Sequence, residues 1–220
     1  MLDYGFYNMD CIEGMKQFPD KYFDLAIVDP VYGDVTQGGW NRNNMGKKEH
    51  RHDYYTALWD QEKTGAEYFK ELLRVSKNQI IWGGNYFTDN LPTSQGWICW
   101  DKLRGEGVSF ADCELAYTSF NCAARMFRYK WNGFMQQDMK NKEYRIHPTQ
   151  KPVALYEWLL LNYSNEGDII LDTHTGSASS LIACHYLHHD YVAFEIDPVY
   201  YEMAKKRLET ELAQRTIFDY

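Results

Sequence analysis

Apolar runs of strand length alternate along this chain with stretches of helical period. YFDLAIVD (22–29) and NQIIWGG (78–84) read as buried strands, the second closed by two glycines. Between them, TGAEYFKELLRVSK (64–77) sets Tyr68/Phe69, Leu72/Leu73 and Val75 near a period of about 3.6 residues and predicts a helix. GWICWDK (96–102), CELAYTSF (113–120) and ARMFRYKW (124–131) predict further strands, the last two a pair that adds an antiparallel edge. The carboxyl-terminal third continues the alternation. PVALYEWLLLNYS (152–164) is helical, with proline in the tolerated first turn. DIILD (168–172) is a strand, SASSLIACHYL (177–187) a helix, YVAFEID (191–197) a strand and PVYYEMAKKRLETELAQ (198–214) a closing helix. The fold class is therefore α/β: a doubly wound, mostly parallel sheet with helices on both faces and one antiparallel edge.

Two segments break the pattern. Residues 33–60 and 130–150 are long, polar and without period, and loops of that length in a compact domain usually serve function. Charge changes how they read. The chain of 220 residues carries a net charge of −8, which by itself argues against a nucleic-acid partner. Yet residues 40–52 hold four basic residues against one acidic, and residues 121–151 hold seven against two. On residue types alone, such islands are equally well read as uneven solvated surface.

The length suits one domain, 1–220, with 33–60 as a loop or lid and 121–150 as an insertion. Five cysteines without a CxxC pair predict reduced thiols in a cytoplasm. MLDYGFYNMD lacks a basic stretch followed by an apolar run, so no signal peptide is expected, and no run approaches the roughly 18 apolar residues of a membrane span. His185, His188 and His189 cluster near Cys184 without the tight spacing of a metal site, so no metal is expected.

The chemistry concentrates at strand ends. In DIILDTHTGSASS an apolar strand ends at Asp172, and a turn containing Gly176 leads into a helix. Such a turn lets backbone approach a ligand and aims free amides at it. About 20 residues on, the next strand ends at Glu195, a placement suited to a carboxylate accepting from two ribose hydroxyls. Neither GxGxxG nor GxxxxGK[ST] is present, which disfavours a dinucleotide or nucleoside triphosphate. In AIVDPVYG (26–33) a buried strand runs into a charge, Asp29, tolerable there if it faces a ligand pocket.

DPVYG (29–33), HPTQKP (147–152), LDTHTGSASS (171–180) and FEID (194–197), in that order, resemble the amino-methyltransferases of nucleic acid, in the permuted β arrangement found in small phage or mobile-element members. The resemblance covers nearly the whole chain. It implies S-adenosylmethionine as cofactor and methylation of adenine N6 or cytosine N4 in double-stranded DNA, in the setting of restriction–modification. Asp172, Gly176 and Ser177 would line the methionine and ribose side. Glu195 would hold the ribose and Ile196 pack on adenine. His147, Thr149 and Lys151 would lie near the methionine end, and Asp10 with Cys11 near the adenine. Asp29 and the Pro30 carbonyl would accept the two hydrogens of the target amine, freeing its lone pair and stabilising the charge that develops on nitrogen. Tyr32 would stack on a flipped base. Asp at the first motif position leans to adenine.

With that resemblance, Arg42, Lys47, Lys48 and Arg51 fall in a lid after the catalytic strand, and Arg125, Arg128, Lys130 and Arg145 in a target-recognition segment. There they would make phosphate contacts, with Trp40, Trp131 and Phe134 free to wedge or stack. The segment is short, so a small footprint or a second subunit, as in a homodimer, is expected. Two positions depart from the family pattern: Val31 stands where a second proline is usual, and Ala178 where a glycine is. Alternative readings are a catalytically silent nucleic-acid-binding module of the same fold, and a methyltransferase acting on cytosine N4, on RNA or on a protein amide. Asp rather than Asn before the proline disfavours the amide.

Overall fold

The structure, a computed structural model, describes residues 1–33, 63–104, 111–132 and 134–215. The basic loop expected to carry Arg42, Lys47, Lys48 and Arg51, with Trp40, lies outside the described residues. In chain order the elements are β1 (Gly5–Asn8), α1 (Cys11–Met15), β2 (Phe23–Val28), α2 (Ala66–Val75), β3 (Ser76–Trp82), β4 (Trp97–Asp101), β5 (Cys113–Thr118) and β6 (Arg125–Arg128). Then follow β7 (Trp131–Asn132), β8 (Met135–Gln136), α3 (Val153–Tyr163), β9 (Ile170–Asp172), α4 (Ser179–Tyr186), β10 (Tyr191–Glu195) and α5 (Pro198–Arg215).

Eight strands form one sheet in the order β1-β10-β9-β2-β3-β5-β4-β6, and β7 pairs with β8 as a separate antiparallel ribbon. Strands β1, β10, β9, β2 and β3 run parallel. The expected antiparallel component is β5, which opposes both β3 and β4. It lies inside the sheet, and the outermost strand, β6, runs parallel to β4. A two-residue period explains the burial on both faces. Along β2, Ala26 and Val28 face the cluster under α1 and α2, while Leu25 and Ile27 face the cluster under α3 and α4. β3 repeats this, with Ile81 on the first face and Ile80 and Trp82 on the second.

Chain direction then fixes where a ligand can sit. β2 continues through α2 to β3, moving one way along the sheet; β9 continues through α4 to β10, moving the other way. β2 and β9 are neighbours, so the strand order reverses between them. A crevice outside the carboxyl ends of the strands opens at that point. Register brings the chemistry to one lip: Asn8 pairs with Glu195, Ala193 with Asp172, and Ala26 with Leu171, so Asp29 stands just beyond the same edge. Among the described residues, no helix is long and apolar enough to cross a membrane.

Candidate active site

A cavity of about 570 Å³ opens at the switch point. At one end it is lined by the loop after β2, by the segment before α3 and by the upper ends of β4 and β5. At the other it is lined by the turns after β1, β9 and β10. All three residues expected at the catalytic lip, Asp29, Pro30 and Tyr32, line it, as do nine of the ten expected on the cofactor side; Asp172 is buried behind the turn and does not line it.

Asp29 is not a free carboxylate. Its Oδ1 accepts from the Tyr32 hydroxyl, and its Oδ2 lies 2.5 Å from Lys151 Nζ. Each oxygen keeps a further lone pair for a ligand. Burial pushes the Tyr32 phenol well above its ordinary value and the Asp29 charge adds to this, so the hydroxyl stays a donor. The Tyr32 ring stacks on Tyr86, with centroids 5.1 Å apart and planes 29° from parallel. Gly83, at φ +64°, presses against the ring: a Cβ there would lie 2.1 Å from Tyr32 Cε1. Lys151, expected near the methionine end, lies against Asp29 and lines the same cavity.

At the opposite end Glu195 joins two turns. Its Oε2 accepts from Gly176 N at 2.9 Å and its Oε1 from Asp197 N at 2.9 Å. Burial raises its carboxyl above the usual range. Asn8 Nδ2 donates to the carbonyls of Glu195 and Ile196, and the Ile196 side chain stands exposed at the rim. Asp10 caps α1 through Glu13 N at 3.0 Å, which turns its carboxylate toward the same opening. Burial pushes the Cys11 thiol up to about 12, which makes it a packing group and not a nucleophile.

Between the two ends lie Asp172, held by Ser180 Oγ and His174 N and raised by burial to about 7, and the turn Thr175–Ala178. Gly176 takes φ +55°, and a Cβ on it would touch the His147 ring at 3.4 Å. His147 is itself buried, kept neutral down to about 4, bonded to Thr149 Oγ1 at 3.0 Å and set edge-on to Tyr200. Ala178 keeps φ +62° and is fully buried, so the turn holds the left-handed geometry of a glycine with a methyl group that packs on α4 and α5. That geometry costs an alanine about 1–2 kcal/mol. Ser177 gives its carbonyl to Arg207 at 2.6 Å, and Arg207 also binds Glu143 at 2.7 Å.

Sequence reasoning missed several groups: His174, held by burial at about 4; Thr173 and Tyr68, joined at 2.6 Å; and Glu114, Lys102 and Arg207. Thr173 and His174 stand inside LDTHTGSASS, between residues expected at the cofactor; Tyr68, Glu114, Lys102 and Arg207 stand in no motif. The basic recognition residues divide. Arg145 lines the cavity, 5.8 Å over the Trp131 ring, and donates to Pro148 O. Arg125 and Arg128 lie exposed on the outer strand β6, and Lys130 follows them. Trp131, expected to wedge or stack, is 5% exposed and donates to Gln150 O, so it is a packed strut; Phe134, at 79%, is free to do so. Among the described residues no His, Cys, Asp or Glu cluster could hold a metal.

A doubly wound sheet with a deep cavity at its switch point, an acid–proline lip at one end and a glycine turn tied by a buried glutamate at the other, defines a group-transferring enzyme of the methyltransferase class. The N6/N4 DNA methylase family matches residues 40–206, and the chain belongs to that family. Type II methyltransferase M.HpaI of Haemophilus parainfluenzae is 48% identical over an alignment of 248 residues, taking in 96% of this chain and 76% of the relative. M2.MboI of Moraxella bovis is 22% identical over 250 residues, 93% of this chain and 87% of the relative. Among solved structures, the M1.HpyAVI–SAM complex shares the fold at TM-score 0.57 and 20% identity, covering 92% of this chain and 98% of that one. The cytosine-N4-specific PvuII DNA methyltransferase shares it at 0.60 and 12%, covering 97% and 92%.

One consequence is testable at the lip. Gly83→Ala forces an alanine into positive φ, costing about 1–2 kcal/mol, and drives its methyl into the Tyr32 ring. Methyl transfer should fall about 100-fold, as for a misplacement of about 1 Å, with a much smaller effect on the melting temperature. An unaltered rate would show that Tyr32 placement does not matter.

Proposed function

We propose that this chain methylates the N6 amine of adenine in double-stranded DNA, using S-adenosylmethionine held between the Gly176 turn and Glu195. The observation that carries this reading is the shared cavity: the Asp29–Pro30 lip and the Glu195–Gly176 cradle open into one space. The cradle suits the cofactor chemically. Glu195, already tied to two amides, keeps lone pairs for ribose hydroxyls; Asp172, buried behind the turn, holds it through His174 N; Ile196 offers an exposed apolar side chain to an adenine face.

When bound, S-adenosylmethionine supplies a methyl group made electrophilic by its sulfonium charge. The chain's own residues handle the amine. Asp29 and the Pro30 carbonyl accept its two hydrogens, drawing the nitrogen out of conjugation and countering its growing positive charge. The amine would take the methyl group from a bound donor, whose sulfur would be left neutral, and would pass its surplus proton to solvent water at the cavity mouth. Tyr32, covered on one face by Tyr86, offers the other to a base rotated out of the duplex. Arg145 at the cavity mouth and Arg125, Arg128 and Lys130 on the β6 side supply phosphate contacts. The chain acts as one domain with residues 121–150 as its recognition insertion, in the cytoplasm, alone or as a homodimer.

Duplex oligonucleotides, single strands of RNA and a control peptide, each offered with methyl-labelled S-adenosylmethionine and then digested, test this directly. Label is expected in N6-methyladenine from duplex DNA. Label in N4-methylcytosine would overturn the choice of base, label in RNA the choice of polymer, and no label anywhere would leave the silent-module reading standing.

A further inference from the structure

The loop before α3 delivers a lysine into the transfer end that the reaction chemistry does not by itself require. Lys151 is 5% exposed, and its Nζ lies 2.5 Å from Asp29 Oδ2 and 3.4 Å from Glu114 Oε2. Glu114, on the antiparallel strand β5, is paired in turn with Lys102, just beyond β4. Trp82 and Trp100 form the floor, with Lys151 Nζ 5.4 Å from the first ring and Lys102 Nζ 4.6 Å from the second. The result is a chain of alternating charge, Asp29–Lys151–Glu114–Lys102, reaching from the lip across two strands. Resting on the reading that Asp29 binds the target amine, we propose that Lys151, locked by Glu114, is a positioning residue that sets the rotation of the Asp29 carboxylate and supplies its counter-charge, rather than a contact to the cofactor.

A row of acids and bases could instead carry the released proton outward. The magnitudes argue against this. Burial alone would raise the Glu114 carboxyl, but Lys151 and Lys102 outweigh it and hold it down at about 2, too acidic to take a proton in passing. Burial works against the Lys151 charge, yet Asp29 and Glu114 outweigh it and keep the ammonium above the ordinary lysine value. Both groups keep their charge through the cycle, which makes the array a fixed clamp. With Tyr32 on Oδ1 and Lys151 on Oδ2, the carboxylate has one rotation, and its remaining lone pairs have defined directions.

The other titratable groups facing Asp29 do not substitute for the lysine. His147, from the same loop, and His174, after β9, are held neutral by burial. Tyr68 from α2 and Tyr156 from α3 remain protonated phenols because burial raises both. Asp172 carries the same sign of charge as Asp29 and couples to it unfavourably.

The test compares Lys151→Met, Glu114→Gln and the double variant in full-length protein, reading cofactor affinity by calorimetry, kcat by single-turnover transfer and thermal unfolding. Lys151→Met should cut kcat about 100-fold with cofactor affinity unchanged within about threefold. A lysine that merely supports the fold would not split the two in this way, so the contrast between kcat and cofactor affinity is the readout of positioning. Glu114→Gln should cost kcat about tenfold by loosening the ammonium. The double variant removes one charge of each sign, so it should regain thermal stability without regaining kcat; a merely structural lysine would regain both. A double variant at the wild-type rate, or a Lys151→Met protein with weakened cofactor binding and normal kcat, overturns the proposal. Wild-type protein that labels no adenine would instead overturn the reading of the Asp29 lip, a failure seen before any variant is made.

Discussion

Asp29→Ala is expected to cut methyl transfer by about 1,000-fold or more while cofactor affinity stays within about threefold. Loss of one preorganised group that stabilises developing charge costs about 100- to 1,000-fold in other enzymes, and here the Tyr32 and Lys151 contacts fail with it. The cofactor cradle is built from other turns and should not respond. A second effect must be separated from the first. Lys151 is buried, and removing its main partner leaves a charge compensated by Glu114 alone. Breaking a buried pair from one side costs about 3–5 kcal/mol, so the alanine variant should also melt lower. Asp29→Asn narrows the difference. It keeps the volume and an acceptor oxygen for Tyr32, so it avoids the void that alanine leaves, but it strips Lys151 of its main counter-charge as alanine does, so the melt should still fall while the lost negative charge depresses the rate. Single-turnover transfer of labelled methyl, run beside a thermal melt, reads both effects. An alanine variant that is folded and retains more than a tenth of the rate would remove Asp29 from the chemistry.

Parts of this machine were legible before any coordinates, and the reasons are physical. The strands β2, β3, β9 and β10 are buried on both faces, so their apolar runs stand out from anything around them. Asp29, Asp172 and Glu195 are legible because a charge closing such a run needs a ligand or a solvent edge to justify it. The missing elements are the short ones. β1 has four residues at the sheet edge, α1 has five residues resting on the Asp10 cap, and β7 and β8 have two each. None is long enough to show a period. The internal place of β5 was also hidden, because an antiparallel strand flanked by two others reads the same as one at an edge.

The charge clamp was illegible for a different reason. Lys151 and Asp29 are 122 positions apart, and Glu114 and Lys102 sit at strand ends where a solvated charge is the ordinary expectation. Only the register of β4 on β5, which sets Trp100 opposite Glu114, brings that carboxylate to the crevice. Trp131 misled in the opposite sense. In a polar segment it looks exposed, but its indole donates to Gln150 O, and that bond, with Arg145 over the ring, folds the segment back onto the site.

Glu195→Ala should give the mirror image of the Asp29 phenotype: cofactor affinity lower by about 10- to 150-fold, the equivalent of about 1.5–3 kcal/mol for hydrogen bonds to a charged group, with kcat at saturating cofactor close to wild type. The split between affinity and turnover is the informative readout, because a group that holds the ribose equally in ground and transition states changes the first and spares the second. Part of the loss will come from the turn itself, since Gly176 N and Asp197 N lose their acceptor. Glu195→Gln apportions this, keeping one carbonyl oxygen for an amide while removing the charge. Acid should imitate the alanine variant. Burial raises the Glu195 carboxyl above the usual range and the Asp172 carboxyl to about 7. The ionised Glu195 would accept from the cofactor and the ionised Asp172 holds the turn through His174 N and Ser180 Oγ, so protonating either loosens the cradle and binding must weaken as pH falls. The fall should begin near neutrality, where Asp172 takes up its proton, and steepen further down as Glu195 follows. In Glu195→Ala only the upper step should remain. Calorimetric titrations of S-adenosylmethionine from pH 8 to pH 5 would show two steps reduced to one; a dissociation constant indifferent both to pH and to the loss of Glu195 would place the cofactor somewhere other than this cradle.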